Sequence, residues 1–174
     1  EDPPPIPTPE QSAGRMAELG TTERDRIVLY DDTPARTSAR AWFICRLHGA
    51  NAAILDGGLG KWVAEGRAQE SGAPQLPVTR FVPGAGTGAV RSKSELLANL
   101  DTKAEQVLDA RGPGRFSGAD PEPRGGMPSG HIPGSSNLPY ARVLNPDGTY
   151  KDVAGIRAAF AEAGIDLSQP VVTT

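Results

Sequence analysis

Two arginines in one long loop have guanidinium groups that could bind a small anion. Arg115 and Arg124 both lie in the Gly- and Pro-rich stretch 111–139, which follows a predicted strand ending at Asp109. Loops of that length inside a compact domain are usually functional. A guanidinium group recognises a planar carboxylate by two parallel charge-assisted hydrogen bonds, so both arginines are candidates for binding an organic acid. Two plainer uses stay open: a solvated loop position for Arg115, and local pairing with Glu122 for Arg124.

Other polar residues have roles around this loop or at the ends of strands. Asp109 is expected to anchor the loop backbone, with Arg111 as a member of an ion pair. His131 is a candidate general base.

Cys45, the only cysteine, lies mid-helix among apolar neighbours and is interpreted as a small core hydrophobe. Residues 170–174 predict a buried strand, and the carboxyl end of a parallel strand is where catalytic groups sit, so we expect the active centre to begin at position 175.

Composition sets broad limits on function. The sequence has 174 residues, of which 37% are hydrophobic and 22% charged, enough for one ordinary domain or two small ones. A net charge of -3 with mixed signs argues against a nucleic-acid or anionic-membrane partner. No apolar stretch approaches the roughly 20 residues of a membrane span. A single cysteine excludes an internal disulfide, which favours a reducing, cytoplasmic location.

The order of predicted elements indicates an α/β fold with parallel strands. A capped helix starting after Thr8 precedes an apolar strand at 27–30, a helix at 38–47, a strand at 53–56 and a short helix at 59–65. Alternation of helices and strands predicts parallel sheets with right-handed crossovers. The continuous apolar runs at Val28 and Val172 predict central strands that are buried on both faces.

A change of composition divides the chain. Residues 70–91 are rich in Pro and Gly and predict an interdomain linker. The α/β pattern then resumes with a helix that a capping box opens at Ser92, a strand at 106–109 and a helix that follows Asp152.

The two ends of the chain resemble each other. A shift of 144 residues places Ala17, Glu18 and Gly20 on Ala161, Glu162 and Gly164, and the run at Val28 on that at Val172. The chain therefore contains parts of a duplicated module. In this register, Asp31 corresponds to position 175.

Several motifs, in order along nearly the whole chain, carry a family resemblance. They are Asp56-Gly57-Gly58 with Trp62, Asp109-Ala110-Arg111 leading to Gly114-Arg115-Phe116, Pro121-Glu122-Pro123-Arg124, and Ser129-Gly130-His131-Ile132-Pro133-Gly134-Ser135 with Asn137 and Pro139. The sequence resembles the tandem-domain rhodaneses, specifically their 3-mercaptopyruvate sulfurtransferase branch. This resemblance implies two modules with parallel sheets flanked by helices, both incomplete here: residues 1–69 would be the second half of an inactive module, 70–91 a linker, and 92–174 the first part of the catalytic module.

The resemblance also implies a reaction. A cysteine directly after Thr174 would take sulfane sulfur from 3-mercaptopyruvate as a persulfide and pass it to a thiol or cyanide, without metal or organic cofactor. A thioredoxin-like protein is one candidate acceptor. Arg115 and Arg124 would bind the substrate, Arg124 being the member typical of this branch, and His131 would have a structural hydrogen-bonding role. Asp31 would replace the nucleophile in the inactive module.

Three alternatives stay open at this point. The protein could be a thiosulfate sulfurtransferase, a non-catalytic rhodanese-like regulatory module if position 175 is not cysteine, or a thiol-based phosphatase. A phosphatase loop would be one residue longer and richer in arginine than the Gly- and Ser-rich loop expected of a sulfurtransferase.

Overall fold

A computed structural model describes residues 6–32, 36–123 and 125–174, and these form two compact units that divide between Ala89 and Val90. The amino-terminal unit contains α1 (Pro9–Glu18), β1 (Arg26–Leu29), α2 (Thr37–Leu47), β2 (Asn51–Ile54) and α3 (Gly58–Ala64). The carboxyl-terminal unit contains α4 (Lys93–Thr102), β3 (Gln106–Asp109), α5 (Pro113–Ser117), β4 (Ser136–Asn137), a 3₁₀ helix (Tyr140–Val143), α6 (Val153–Glu162) and β5 (Val171–Thr173).

In the amino-terminal unit, β1 and β2 form a parallel pair joined by α2. Ile27 lies opposite Ala52 in the register of this pair. The core contains Cys45, which is 3% exposed, together with Ala50 and Phe81. Burial raises the pKa of the Cys45 thiol, so the interpretation of this residue as a core hydrophobe is confirmed.

The carboxyl-terminal unit has a three-stranded parallel sheet in the order β4-β3-β5. Because β3 has a neighbour on each side, its residues are the most deeply placed of any strand: Val107 is 7% exposed, Leu108 3% and Asp109 1%. Leu108 packs with Ala159 of α6 and with Ile165 in the core of this unit. The predicted α/β architecture with parallel strands flanked by helices is confirmed.

The predicted burial of two strands is wrong. Val28 is 52% exposed, because β1 has only β2 as a neighbour among the described residues and one of its faces is uncovered. Val172 is only partly buried, because β5 is an edge strand and β3 is the central one. A continuous apolar run shows that a strand suits burial, but it does not show how many layers cover the strand.

Helix boundaries agree with the 144-residue register found in the sequence. The bounds of α1, Pro9–Glu18, coincide residue for residue with those of α6, Val153–Glu162. Each helix is preceded by a side chain that accepts a backbone N–H three residues on, Thr8 from Gln11 at 3.2 Å and Asp152 from Gly155 at 2.7 Å. The two helices therefore have the same length, and in both the residue before the helix caps the corresponding backbone N–H, with the return bond of a capping box in α1 alone.

Residues 70–89 contain neither helix nor strand, yet they pack within the amino-terminal unit. Thr79 donates its hydroxyl to the Thr21 carbonyl at 2.6 Å, and the Gly84 N–H donates to the His48 carbonyl at 3.1 Å. Phe81 is 5% exposed. This segment is therefore fixed by its own contacts, and its assignment as an interdomain linker stays a prediction.

The close approach of this segment to the end of α2 predicts a sensitive position. A β-carbon on Gly86 would overlap the carbonyl oxygen of Leu47, so we expect Gly86→Ala to destabilise the protein by about 1 to 3 kcal/mol. Gly14→Ala is the control, because a β-carbon on this exposed residue of α1 meets nothing within 4 Å and should be neutral or stabilising. Urea unfolding of the whole protein measures both, and equal midpoints for the two variants would contradict the packing described here.

Candidate functional site

The carboxyl edge of the sheet in the carboxyl-terminal unit is the candidate functional site. Asp109 is the last residue of β3 and lies opposite Asn137, the last residue of β4. On the other side of β3, the Thr174 N–H donates to the Leu108 carbonyl at 2.9 Å, and the Ala110 N–H donates to the Thr174 carbonyl at 3.2 Å. The ends of three strands therefore meet at one edge, which is where open α/β sheets bind ligands.

Asp109 is a buried carboxylate held by one arginine. Its side chain is 2% exposed, and it accepts hydrogen bonds from Arg111: from the backbone N–H at 2.9 Å, from Nε at 3.0 Å and from Nη2 at 2.6 Å. Burial on its own would raise the pKa of Asp109, but the hydrogen bonds from Arg111 outweigh this effect and lower the pKa. The carboxylate is therefore charged at neutral pH.

Arg111 connects this carboxylate to the long loop. Its Nη1 donates to Oε1 of Glu122 at 2.6 Å, and its Nη2 donates to the Gly130 carbonyl at 2.7 Å. The bonds to Asp109 raise the pKa of Arg111. Because all three of its nitrogens are engaged, Arg111 acts as an internal connector.

Glu122 holds a second arginine. The Glu122 side chain is 2% exposed and accepts from Nε and Nη2 of Arg115 at 3.2 and 2.5 Å on Oε2. These hydrogen bonds, followed by the charges of Arg115 and Arg111, lower the pKa of Glu122. The Arg115 side chain is 37% exposed, and within the described ranges its Nη1 has no hydrogen-bond partner. Arg115 is thus the arginine of the network that can still bind a ligand.

Two further residues fix the shape of the loop. Asn137 donates from Nδ2 to the carbonyls of Asp109 and Arg111 at 3.0 and 2.9 Å. His131 lies with Nδ1 2.7 Å from the Phe116 carbonyl oxygen and stacks on the Phe116 ring with centroids 3.8 Å apart. These contacts fit a supporting role for His131, and they give it no contact with Arg115.

Asp31 lies in the amino-terminal unit, just beyond the end of β1. Its Oδ2 accepts the Ser38 N–H at 2.8 Å, in the first turn of α2, and its carbonyl accepts the Leu59 N–H at 3.0 Å. The carboxylate therefore occupies the amino end of a helix, where the exposed N–H groups and the helix dipole favour an anion.

The structure thus brings together three of the site residues named from the sequence: Asp109, Arg111 and Arg115. Arg124 lies outside the described residues, so its role in substrate binding stays a prediction. Glu122 is the residue of this network that sequence reasoning missed, since it was considered only as a partner of Arg124. Its position between two prolines, in a loop with several arginines, was the available signal.

Comparison with known proteins adds independent information. The sequence model of the family described as "Rhodanese-like domain" matches residues 2–65. The chain is 34% identical over 172 residues to a 3-mercaptopyruvate sulfurtransferase of Rattus norvegicus, with 97% of this chain and 58% of that protein covered. It is also 31% identical over 173 residues to a thiosulfate sulfurtransferase of Cricetulus griseus, again with 97% and 58% covered. The chain therefore spans less than two thirds of the length of these relatives.

A solved structure gives a similar result. The crystal structure of SseA from Escherichia coli, described in a study of 3-mercaptopyruvate sulfotransferases, matches with a TM-score of 0.82 and 30% identity. The match covers 97% of this chain and 62% of that one.

Within residues 6–32, 36–123 and 125–174, no helix combines the length and apolar character that crossing a bilayer requires.

The buried network predicts a pH-dependent contribution to stability. Because the folded-state pKa of Asp109 is lowered, its contribution is complete above the unfolded pKa of about 3.9 and is lost as pH falls through the lower folded value. Asp109→Asn should cost about 3 kcal/mol at neutral pH, because Arg111 loses its main partner. The free energy of unfolding of this variant should also fall less than that of wild type on acidification from about pH 6 to about pH 3.

The control for this prediction is Glu162→Gln. Glu162 pairs with Arg142 at 2.5 Å on the surface, where the two side chains are 63% and 57% exposed, so its loss should cost less than about 1 kcal/mol. Chemical denaturation of the whole protein across this pH range measures both variants. If the free energy of unfolding had the same pH dependence in Asp109→Asn and in wild type, the pair of Asp109 and Arg111 would not contribute to stability as stated.

Proposed function

The chain belongs to the rhodanese family, and we propose that the whole protein is a sulfurtransferase that moves sulfane sulfur from 3-mercaptopyruvate to a thiol or cyanide. The rat and Escherichia coli relatives support this assignment. The observation that carries it is the state of Arg115, which is held by Glu122 at the carboxyl edge of the sheet while Nη1 stays open within the described residues. A half-exposed guanidinium at this edge suits the carboxylate of an α-keto acid.

The proposed nucleophile is a cysteine at position 175. Thr174 directly follows β5 and accepts the Ala110 N–H, so the next side chain would lie at the same edge as the network of Asp109 and Arg111. The corresponding position in the amino-terminal unit is Asp31, whose carboxylate accepts an N–H from the first turn of α2. A thiolate in an equivalent strand-to-helix turn would be stabilised by the same kind of backbone donors.

The proposed reaction has two steps. The cysteine thiolate attacks the sulfur of 3-mercaptopyruvate, and the carbon–sulfur bond breaks with its electron pair going to carbon. The resulting enolate of pyruvate takes a proton, and the enzyme holds a cysteine persulfide. An acceptor thiolate or cyanide then attacks the outer sulfur and releases the cysteine thiolate. Arg115 and Arg124 would bind the carboxylate of the sulfur donor, and no metal or organic cofactor takes part.

The organisation we propose is a tandem repeat. Residues 1–69 form the second half of an inactive module, 70–91 a linker and 92–174 the first part of the catalytic module. The equal lengths and capping of α1 and α6 support this duplication.

We also propose a cytoplasmic location, because the only cysteine is free and buried. A thioredoxin-like acceptor is compatible with this compartment, and we propose no nucleic-acid or membrane partner.

A thiosulfate sulfurtransferase is the second candidate, because the hamster relative with that name is 31% identical. The choice of sulfur donor separates the two. We expect the whole protein to have a higher kcat/KM with 3-mercaptopyruvate than with thiosulfate, because a guanidinium fork suits a planar carboxylate. Steady-state rates with cyanide as acceptor measure both. A preference for thiosulfate would favour the second candidate.

Substitution separates binding from chemistry. Arg115→Ala and Arg124→Ala should each raise the KM for 3-mercaptopyruvate, because a charge-assisted hydrogen bond contributes about 1.5 to 3 kcal/mol, or roughly 10- to 150-fold in kcat/KM. The double variant should lose less than the summed penalties, because both side chains would hold one carboxylate. Replacing a cysteine at position 175 with serine should abolish turnover even at saturating sulfur donor.

Arg142→Ala provides the matched control, since Arg142 is an exposed arginine of the same unit that pairs with Glu162. Its kinetics should equal those of wild type. If Arg115→Ala and Arg124→Ala also behaved like wild type, the substrate assignment would be wrong, while the rhodanese fold would be unaffected.

A further inference from the structure

Arg115 uses only one edge of its guanidinium group within the protein. Nε and Nη2 both donate to Oε2 of Glu122, at 3.2 and 2.5 Å. A guanidinium group has a second edge of fork geometry, formed by Nη1 and the remaining hydrogen of Nη2. In the described part of the chain, nothing accepts from Nη1. A second carboxylate could therefore bind Arg115 end-on while Glu122 stays bound side-on.

Arg111 has no such free edge. Its Nε and Nη2 donate to Asp109, its Nη2 also donates to the Gly130 carbonyl, and its Nη1 donates to Glu122. Its side chain is 23% exposed, compared with 37% for Arg115. Of the two arginines seen to contact Glu122 in residues 6–32, 36–123 and 125–174, Arg115 is the one with the geometry to take a ligand.

Glu122 is poorly placed to give way to a ligand. Its side chain is 2% exposed and lies between the two guanidinium groups, with Arg111 on Oε1 and Arg115 on Oε2. Rotation of this carboxylate away from Arg115 would also disturb its bond to Arg111. Removal of one partner from such a desolvated set leaves an uncompensated charge, which is strongly unfavourable. A ligand carboxylate is therefore expected to join the network and not to replace Glu122.

We propose that Glu122 is a positioning residue for the sulfur donor: it holds the Nε–Nη2 edge of Arg115 so that the Nη1–Nη2 edge binds the carboxylate of the α-keto acid. This inference rests on the proposed function, because it assumes that the ligand of Arg115 is the sulfur donor. In the opposite role, Glu122 would be a competitor that the sulfur donor must displace from Arg115.

The direction in which one substitution changes the affinity for a carboxylate ligand distinguishes the two roles. Glu122→Gln keeps the size of the side chain but offers Arg115 a single oxygen and an amide NH₂ that repels guanidinium N–H groups. If Glu122 positions Arg115, the loss of its charge weakens binding of the carboxylate ligand. If Glu122 competes with the ligand, the same loss strengthens binding.

The experiment compares Glu122→Gln and Glu122→Asp with wild type in the whole protein. Glu105→Gln is the matched control, because Glu105 also accepts two hydrogen bonds from one arginine of the same unit, Arg91, at 2.6 and 2.8 Å. Four quantities are measured: kcat and KM for 3-mercaptopyruvate with cyanide, the Kd of pyruvate by calorimetry, and the melting temperature. Pyruvate reports on carboxylate binding without turnover.

We expect Glu122→Gln to raise both the KM and the pyruvate Kd about ten-fold, the size of one charge-assisted hydrogen bond, with kcat changed by less than about three-fold. Glu122→Asp keeps the charge and should show a smaller increase. Glu105→Gln should change neither constant. If the melting temperature of Glu122→Gln is far below that of Glu105→Gln, Glu122→Asp is compared with wild type instead.

An unchanged or lower pyruvate Kd in Glu122→Gln would overturn the inference, as would a loss in kcat alone. Failure of the proposed function looks different: wild-type protein would not turn over 3-mercaptopyruvate, while the effect of Glu122 on pyruvate binding could still be measured. Absence of pyruvate binding to wild type would overturn the positioning role.

Discussion

The buried carboxylate of Asp109 is the constraint from which the rest of the site follows. It ends the central strand of its sheet with 1% of its surface exposed, so its charge requires compensation inside the protein. Arg111 supplies that compensation from two residues away and is then held by Glu122, a loop residue far beyond the strand. Glu122 in turn binds Arg115. The position of Arg115, the arginine of this described network with an open edge, is therefore set by a chain of charge compensation that begins in the core.

The amino-terminal unit treats an acidic residue at a strand end in another way. Asp31 follows β1, and its carboxylate accepts the backbone N–H of Ser38 at the start of α2 at 2.8 Å. Backbone N–H groups at a helix amino end donate to any small anion, including a thiolate, whereas the arginines near Asp109 offer paired donors that suit a carboxylate. The two strand ends thus illustrate two kinds of anion stabilisation, which under the proposed function would serve the nucleophile and the substrate.

Local signals in the sequence predicted local structure well and non-local pairing poorly. Thr8 and Ser92 gave the starts of α1 and α4, since a capping box depends only on residues three positions apart. The exposure of Val28 was missed because it depends on which layers cover β1. Glu122 was missed for a related reason: a loop with Gly and Pro has no periodicity, so the sequence cannot show that residue 122 meets the side chain of Arg111. Side chains that compensate buried charge are found only once the fold brings them together.

Charge balance explains why geometry must decide the choice of ligand. Asp109 and Glu122 contribute two negative charges, and Arg111 and Arg115 contribute two positive ones, so the described network is neutral. A neutral network exerts little long-range attraction on an anion, and binding must come from direct hydrogen bonds to an open edge. Such an edge suits two oxygens that lie in its own plane, and the planar carboxylate of an α-keto acid presents them. A side chain that fixes the direction of this edge therefore acts on specificity even when it never contacts the ligand.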